Sequence, residues 1–217
     1  MKEFLYNVDR KIFHSFYTYG IKLLEGEILD DCESLLDIGC GSHSPISKFS
    51  KRINYSVGID AFEPAINESK QQKIHDEYYL MDWKKITEKF QEKSFDCVCA
   101  LDFIEHLPKE EGYQLIEIME RMAKKKVIIS TPNGFLPQGI YYNNLLQVHR
   151  SGWDVDEMRR RGYHVIGIEG YKHLKGEVGK IRWRPRIFWS KIALWSQPII
   201  KNRPHSAFAI LCIKNMK

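Results

Sequence analysis

Two adjacent residues, Glu105 and His106, place a carboxylate beside an imidazole just after an apolar run that ends at Leu101. A histidine titrates near neutral pH and can take a proton from a hydroxyl group. We therefore predict His106 as a general base or a ligand contact, with Glu105 orienting it. The alternative, a histidine that only caps or packs against the following helix, stays open.

A second group of chemically active residues surrounds the turn Gly39-Cys40-Gly41, which follows an apolar segment carrying Asp37. The two glycines lack a Cβ, so a ligand could lie against bare backbone. Asp60 comes 19 residues after Gly41, a separation at which an acid can accept hydrogen bonds from ribose hydroxyls. An apolar strand, a glycine turn and the helix start Ser44-Pro45 predict a nucleotide-binding corner.

The elements that must position these residues alternate between strand and helix patterns. Such alternation predicts one α/β domain over 1–217, with a doubly wound, mainly parallel (Rossmann-like) sheet. A helical segment is expected within 1–30, and insertions that form a lid or a tail over 135–155 and 171–205. The predicted strands are Ser34–Ile38, Tyr55–Asp60, Glu77–Met81, Phe95–Leu101, Lys126–Ser130, Tyr163–Ile168 and Ala207–Ile213, and the predicted helices are 45–52, 64–73, 109–123 and 154–161.

The segment Leu36-Asp37-Ile38-Gly39-Cys40-Gly41 resembles motif I (L-D-x-G-C-G-x-G) of the class I S-adenosylmethionine-dependent methyltransferases, with His43 where the family usually has its third glycine. A carboxylate there suits a cationic sulfonium ligand better than a diphosphate. Ile104-Glu105-His106-Leu107-Pro108 is similar to a stretch of the quinone-biosynthesis-type members. The resemblance implies seven strands with the last antiparallel, and cofactor contacts from Asp37, Gly39, Cys40, Gly41, Asp60, Ala61, Asp82, Trp83, Leu101 and Asp102.

The acceptor of the methyl group is less defined. An N/D-P-P-Y motif, which many methyltransferases of amino groups carry after the fourth strand, does not occur there, and this favours an oxygen acceptor. Asn133, His149 and Arg150 are candidate substrate contacts, because they lie after the fifth strand and in the predicted lid. We expect a small-molecule or lipid-linked acceptor and no metal ligand set.

The charge of the chain is uneven. From Tyr171 onward there are eleven Lys or Arg residues and one acid, although the whole chain is only +5. A basic, tryptophan-containing tail over 171–205 suits an anionic membrane surface or, less readily, nucleic acid. Its apolar helical stripe, Phe188, Ile192, Trp195 and Ile199, is expected to pack on the protein's own sheet.

The five cysteines show no zinc-ligand spacing, and no apolar run reaches the roughly 20 residues that span a bilayer. A cytoplasmic protein with reduced cysteines is therefore expected, and a peripheral contact with the membrane stays open. Two other functions stay open: an NAD-dependent oxidoreductase, and a non-catalytic protein of methyltransferase fold that binds RNA or membrane through its tail.

Overall fold

The computed structural model describes residues 19–139, 144–176 and 179–217. Its centre is a seven-stranded sheet in the order β3-β2-β1-β4-β5-β7-β6. Strands β1 to β6 run parallel, and β7 lies antiparallel between β5 and β6. The predicted doubly wound sheet with an antiparallel last strand is confirmed. The strands are β1 Ser34–Ile38, β2 Tyr55–Asp60, β3 Glu77–Leu80, β4 Phe95–Leu101, β5 Ala123–Pro132, β6 His164–Tyr171 and β7 Ala207–Asn215.

Helices cover both faces of this sheet. They are α1 (19–29 of the described residues), α2 Glu63–Gln72, α3 Ile86–Lys89, α4 Lys109–Met122, α5 Val155–Arg160 and α6 Arg186–Lys201. Most of the predicted leading segment 1–30 lies outside the described residues. The predicted helix over 45–52 is wrong in type, because two short 3-10 turns, Pro45–Lys48 and Ser50–Arg52, replace it.

Side-chain alternation along the central strands divides the core into two clusters. In β1, Leu36 and Ile38 pack with α3, α4 and α5, whereas Leu35 packs with α1 on the other face. The amphipathic helix α4 supplies Leu115 and Met119 to the first cluster. This two-sided burial explains the nearly continuous apolar sequence of the parallel strands.

The expectation that the apolar stripe of α6 packs on the sheet is wrong. Phe188, Trp195 and Ile199 are 54%, 77% and 59% exposed, and only Ile192 of the predicted stripe is partly buried. The helix instead presents Ser190, Ala193, Gln197 and Ile200 to the protein.

None of the described helices is long and apolar enough to cross a membrane. All five cysteines are buried and unpaired.

Candidate active site

A cleft opens where the strand order reverses, between β1 and β4, at the carboxyl ends of the parallel strands. Ligands bind at this switch point in open α/β sheets. The cavity has a volume of about 180 Å³. Its walls are formed by the turns after β1, β2, β3 and β4 and by part of the 135–155 insertion. The lining residues include Gly39, Gly41, Asp60, Ala61, Met81, Asp82, Trp83, Asp102, Phe103, His106, Asn144, Gln147 and Arg150.

The glycine turn after β1 forms one wall of this cleft. Gly39 and Gly41 have φ values of 69° and 56°, in the left-handed region that favours glycine. A Cβ on Gly39 would lie 2.1 Å from Cδ2 of Phe103, so the aromatic ring occupies the space that a side chain would need. His43, the departure from the family motif, is exposed and has a φ outside that region, so its backbone does not require glycine.

Asp60 links the glycine turn to the end of β2. Its Oδ2 accepts a hydrogen bond from Gly41 N–H at 2.9 Å, and its Oδ1 accepts one from Phe62 N–H at 2.8 Å. Burial raises the pKa of Asp60, while these two donors oppose the rise. A carboxylate has about four acceptor positions, so this group can still receive hydroxyl donors from a ligand in the cleft.

Asp82 and Trp83 close the cleft beyond β3. Asp82 is exposed, and its Oδ1 caps the following 3-10 turn by accepting from Lys84 N–H at 2.9 Å. Trp83 is only 6% exposed and is shared between the cleft and the core. Both residues therefore have a structural role as well as a position on the cleft wall.

Three of the predicted cofactor contacts do not face the cleft. Asp37 is 1% exposed, accepts a hydrogen bond from Ser44 Oγ at 2.6 Å, and lies 3.2 Å from Nε2 of His75. Its carboxylate thus supports the turn from behind and does not line the cleft; its contact with the cofactor stays a prediction. The side chain of Cys40 is buried, and that of Leu101 joins the core cluster of α1, so neither side chain lines the cleft.

A second cavity, of about 380 Å³, adjoins the first and shares Asp102, His106 and Gln147 with it. Glu105, His149, Pro132, Leu136, Gln138, Glu169, Gly179, Phe208 and Ala209 complete its wall. The carboxyl end of β4 therefore contributes to two adjoining spaces, of which only the first includes the glycine turn.

Acidic groups at this junction hold protons more tightly than usual. Asp102 reaches solvent in the cavity mouth. The surrounding protein nevertheless raises the pKa of its carboxyl group to about 6, and the charge of Glu169 contributes to this rise. A hydrogen bond from Ser130 Oγ opposes the rise. The Glu105 carboxyl group is 3% exposed, and burial together with the charge of Asp102 raises its pKa well above the usual range.

His106 and His149 face each other at the junction, with ring centroids 4.8 Å apart. His106 Nδ1 lies 3.4 Å from the carbonyl oxygen of Val148, and His149 Nδ1 lies 2.6 Å from that of Leu136. Donation from both Nδ1 atoms leaves each Nε2 as an acceptor. Burial, with a contribution from His149, lowers the pKa of His106 to about 4, and burial also lowers the pKa of His149.

Glu105 does not orient His106 as predicted, because the ring is aligned by the carbonyl of Val148. The backbone oxygen of Glu105 instead accepts hydrogen bonds from the N–H groups of Arg150 and Ser151, at 2.8 and 3.1 Å. These bonds fix the end of the 135–155 insertion over the turn after β4. A carboxylate oxygen of Glu105 and one ring nitrogen each of His106 and His149 all lie within 4.8 Å of one another.

The predicted substrate residues separate into two groups. His149 lines the second cavity and Arg150 the first. Asn133 lines neither; its Nδ2 donates to the carbonyl oxygens of Pro204, His205 and Ala207 at 3.0 to 3.2 Å. Asn133 therefore ties the end of β5 to the start of β7, and its contact with substrate stays a prediction.

Several residues of the site were not predicted. Phe103 and Met81 line the first cavity beside predicted residues, and Asn144 and Gln147 reach it from the insertion. Proximity to a strand end could have indicated Phe103 and Met81. No local pattern marks His75, because its contact with Asp37 joins residues far apart in the sequence.

The fold and the position of this cleft are those of nucleotide-binding α/β proteins, and comparison with known proteins identifies the more specific class that the chain resembles. Residues 36–130 match the family described as "Methyltransferase domain". Curated relatives include the ubiquinone biosynthesis O-methyltransferase of Coxiella burnetii (strain RSA 493 / Nine Mile phase I), 25% identical over 130 residues, which cover 58% of this chain and 51% of the relative. The chain therefore spans about half the length of the curated relatives it matches.

Solved structures show the same fold. A SAM-dependent methyltransferase from Archaeoglobus fulgidus is 19% identical with a TM-score of 0.56, covering 90% of this chain and 94% of the other. Magnesium protoporphyrin IX methyltransferase from Synechocystis PCC 6803, crystallised with bound SAH, is 14% identical with a TM-score of 0.54, covering 96% and 84%. These likenesses show that the chain has the fold of these methyltransferases, and the match of residues 36–130 to a methyltransferase domain agrees with the resemblance seen in the sequence.

Proposed function

We propose that this chain transfers the methyl group of S-adenosylmethionine to a hydroxyl oxygen of a small-molecule or lipid-linked acceptor. This proposal rests on the observation that two cavities adjoin at Asp102 and His106. The first holds the features that suit a nucleoside, and the second provides a separate space for an acceptor. Methyl transfer requires the two reactants to be aligned and shielded from water.

The residues of the first cavity fit this cofactor. The glycine turn offers bare backbone at Gly41, where a Cβ would meet nothing within 4 Å, and Asp60 offers acceptor oxygens to ribose hydroxyls. Asp82 and Asp102 add carboxylates to the same wall, which favours a cationic ligand. S-adenosylmethionine supplies a methyl group already activated by its sulfonium. Gly39, Gly41, Asp60, Ala61, Asp82, Trp83 and Asp102 are proposed to hold it.

His106 is proposed as the general base. Its pKa of about 4 keeps the ring neutral at physiological pH. With Nδ1 directed at the carbonyl of Val148, Nε2 is left to accept the proton of an acceptor hydroxyl. Glu105 holds the insertion through its backbone oxygen and shapes the electrostatics of the second cavity through its side chain.

His149 and Arg150 are proposed to contact the acceptor. They belong to the insertion 135–155, which we propose acts as a lid. The name of the Coxiella burnetii relative, an O-methyltransferase, supports oxygen as the acceptor atom. We also propose a cytoplasmic location with peripheral contact to anionic membrane through 171–205.

Binding and turnover can be tested separately. Asp60→Ala should abolish S-adenosylmethionine binding in calorimetry, and His106→Gln should leave that binding intact while turnover falls about 100-fold or more. His43→Gln is the matched control, because this histidine is exposed and lines neither cavity. Unchanged turnover in His106→Gln would remove the assignment as base. Loss of activity with a chelator would instead make Glu105, His106 and His149 metal ligands.

The acceptor can be found by incubating the purified chain with labelled S-adenosylmethionine and an extract of the host. The label is then separated into lipid, saccharide, protein and RNA fractions. Label in a lipid or small-molecule fraction, on oxygen, supports the proposal. Tight cofactor binding without turnover on any pool favours a non-catalytic protein, and a titratable NADH fluorescence change favours an oxidoreductase.

A further inference from the structure

Helix α6 exposes three large apolar side chains, although its buried face is partly polar. Its buried face contains Ser190 and Gln197, whereas Phe188, Trp195 and Ile199 point to solvent. A helix on the surface of a globular domain normally buries its apolar stripe. The exposed stripe of α6, defined here as Phe188, Trp195 and Ile199, is thus an apolar surface without a partner among the described residues.

The contact with β6 fixes this orientation. Gln197 Nε2 donates to the carbonyl oxygen of Gly167 at 2.9 Å, and its Oε1 accepts from Gly170 N–H at 2.8 Å. A Cβ on Gly167 would lie 2.3 Å from the carbonyl oxygen of Ile200, so the helix lies directly on the strand backbone. Rolling α6 to bury its stripe would break both buried hydrogen bonds, which is unfavourable.

Basic side chains surround the stripe. From 180 to 203 the chain has seven Lys or Arg residues, all exposed, and no acid: Lys180, Arg182, Arg184, Arg186, Lys191, Lys201 and Arg203. None of the seven forms an ion pair with a carboxylate in the described ranges. Trp183 adds a further indole, 55% exposed, with its ring 6.1 Å from that of Trp189.

We propose that the stripe of α6 docks on an anionic lipid bilayer, with its apolar side chains below the headgroups and the surrounding bases at the phosphates. This inference rests on the proposed membrane contact of 171–205 and on none of the catalytic assignments. Tryptophan and basic side chains favour the membrane interface. The aliphatic Ile199 suits hydrocarbon better than stacked nucleic-acid bases. Lys191 lies on the helix between Phe188 and Trp195, and a lysine is unusual at the core of a protein–protein interface.

Co-sedimentation of the full chain with vesicles tests the proposal. Binding is expected to phosphatidylcholine vesicles that contain phosphatidylglycerol, and to be weaker at high salt and with phosphatidylcholine alone. The triple variant Phe188→Ser, Trp195→Ser, Ile199→Ser should bind roughly tenfold less or weaker still, which corresponds to about 1.4 kcal/mol. Leu80→Ser, an exposed leucine on β3, is the matched control and should bind like the unaltered chain.

Other outcomes would overturn the proposal. The proposal is wrong if the unaltered chain binds no vesicles at either salt concentration, or if the triple variant binds vesicles as well as the unaltered chain does. Equally contrary would be a dimer of the unaltered chain that the triple variant converts to a monomer, or single-stranded RNA that displaces the vesicles. Because the changes are on the surface, an unchanged circular dichroism spectrum and an unchanged midpoint of urea denaturation show that a loss of binding is not unfolding.

Discussion

Replacing Gly39 by alanine tests how the glycine turn and the strand end of β4 fit together. At φ 69° an alanine costs about 1–2 kcal/mol from the backbone alone. Its Cβ would also lie 2.1 Å from the ring of Phe103, and relieving such overlap typically costs about 1–3 kcal/mol more. Gly39→Ala should therefore lower the free energy of unfolding by about 2–5 kcal/mol.

Gly41→Ala is the matched control, because its φ is 56° and a Cβ there would meet nothing within 4 Å. It should lose only the backbone contribution, about 1–2 kcal/mol. Urea denaturation of both variants, and of Gly39→Ala combined with Phe103→Ala, separates the contributions. The reasoning is refuted if Gly39→Ala and Gly41→Ala are equally destabilised, or if Gly39→Ala costs as much without the Phe103 ring as with it.

The remaining predictions concern the junction of the cavities and the end of β5. The pKa of Asp102 is raised to about 6, so its carboxyl group is charged above that pH and neutral below it. The preference for cationic S-adenosylmethionine over its uncharged-sulfur product should therefore weaken as the pH falls through about 6, and calorimetry should show much less of this pH dependence in Asp102→Asn. Asn133→Ala removes an amide that donates to three carbonyls. It should lower the free energy of unfolding by about 1–2 kcal/mol in urea denaturation and leave the KM for cofactor unchanged; an altered KM with normal stability would contradict the structural role.

The strands could be predicted from the sequence because each apolar run ends at a turn signal. Three of the seven, β1, β2 and β4, have the predicted bounds. The segment after the glycine turn was harder. Ser44 and Pro45 do start a helical turn as predicted, but the turn ends at Lys48. An N-cap marks where a helix begins, whereas its length depends mainly on tertiary packing.

Residues of the site were predicted well where a strand end alone decides their position. Asp60, Asp82 and His106 all reach the first cavity. Asp37 does not, because its contacts with Ser44 and His75 turn the carboxylate away from the cleft. The side chain of Asn133 donates hydrogen bonds to carbonyl groups 71 to 74 residues later in the sequence, and no local pattern predicts such contacts.

For α6, periodicity identified which residues share a face but not the direction of that face. The deciding contact is the close approach of the helix to Gly167, together with the two hydrogen bonds of Gln197. A glycine in a neighbouring strand gives no signal of this kind before the fold is known.

The walls of the two cavities come from different parts of the polypeptide. Most of the first cavity comes from residues before 112, and most of the second from residues after 131, with Asp102, His106 and Gln147 common to both. On the proposed assignment of the acceptor to the second cavity, such a division would let acceptor preference diverge during evolution while most of the nucleoside pocket stays constant. A chimera in which the later segment is exchanged but Asn144, Gln147 and Arg150 are kept would then change the compound that is methylated and retain most of the first cavity.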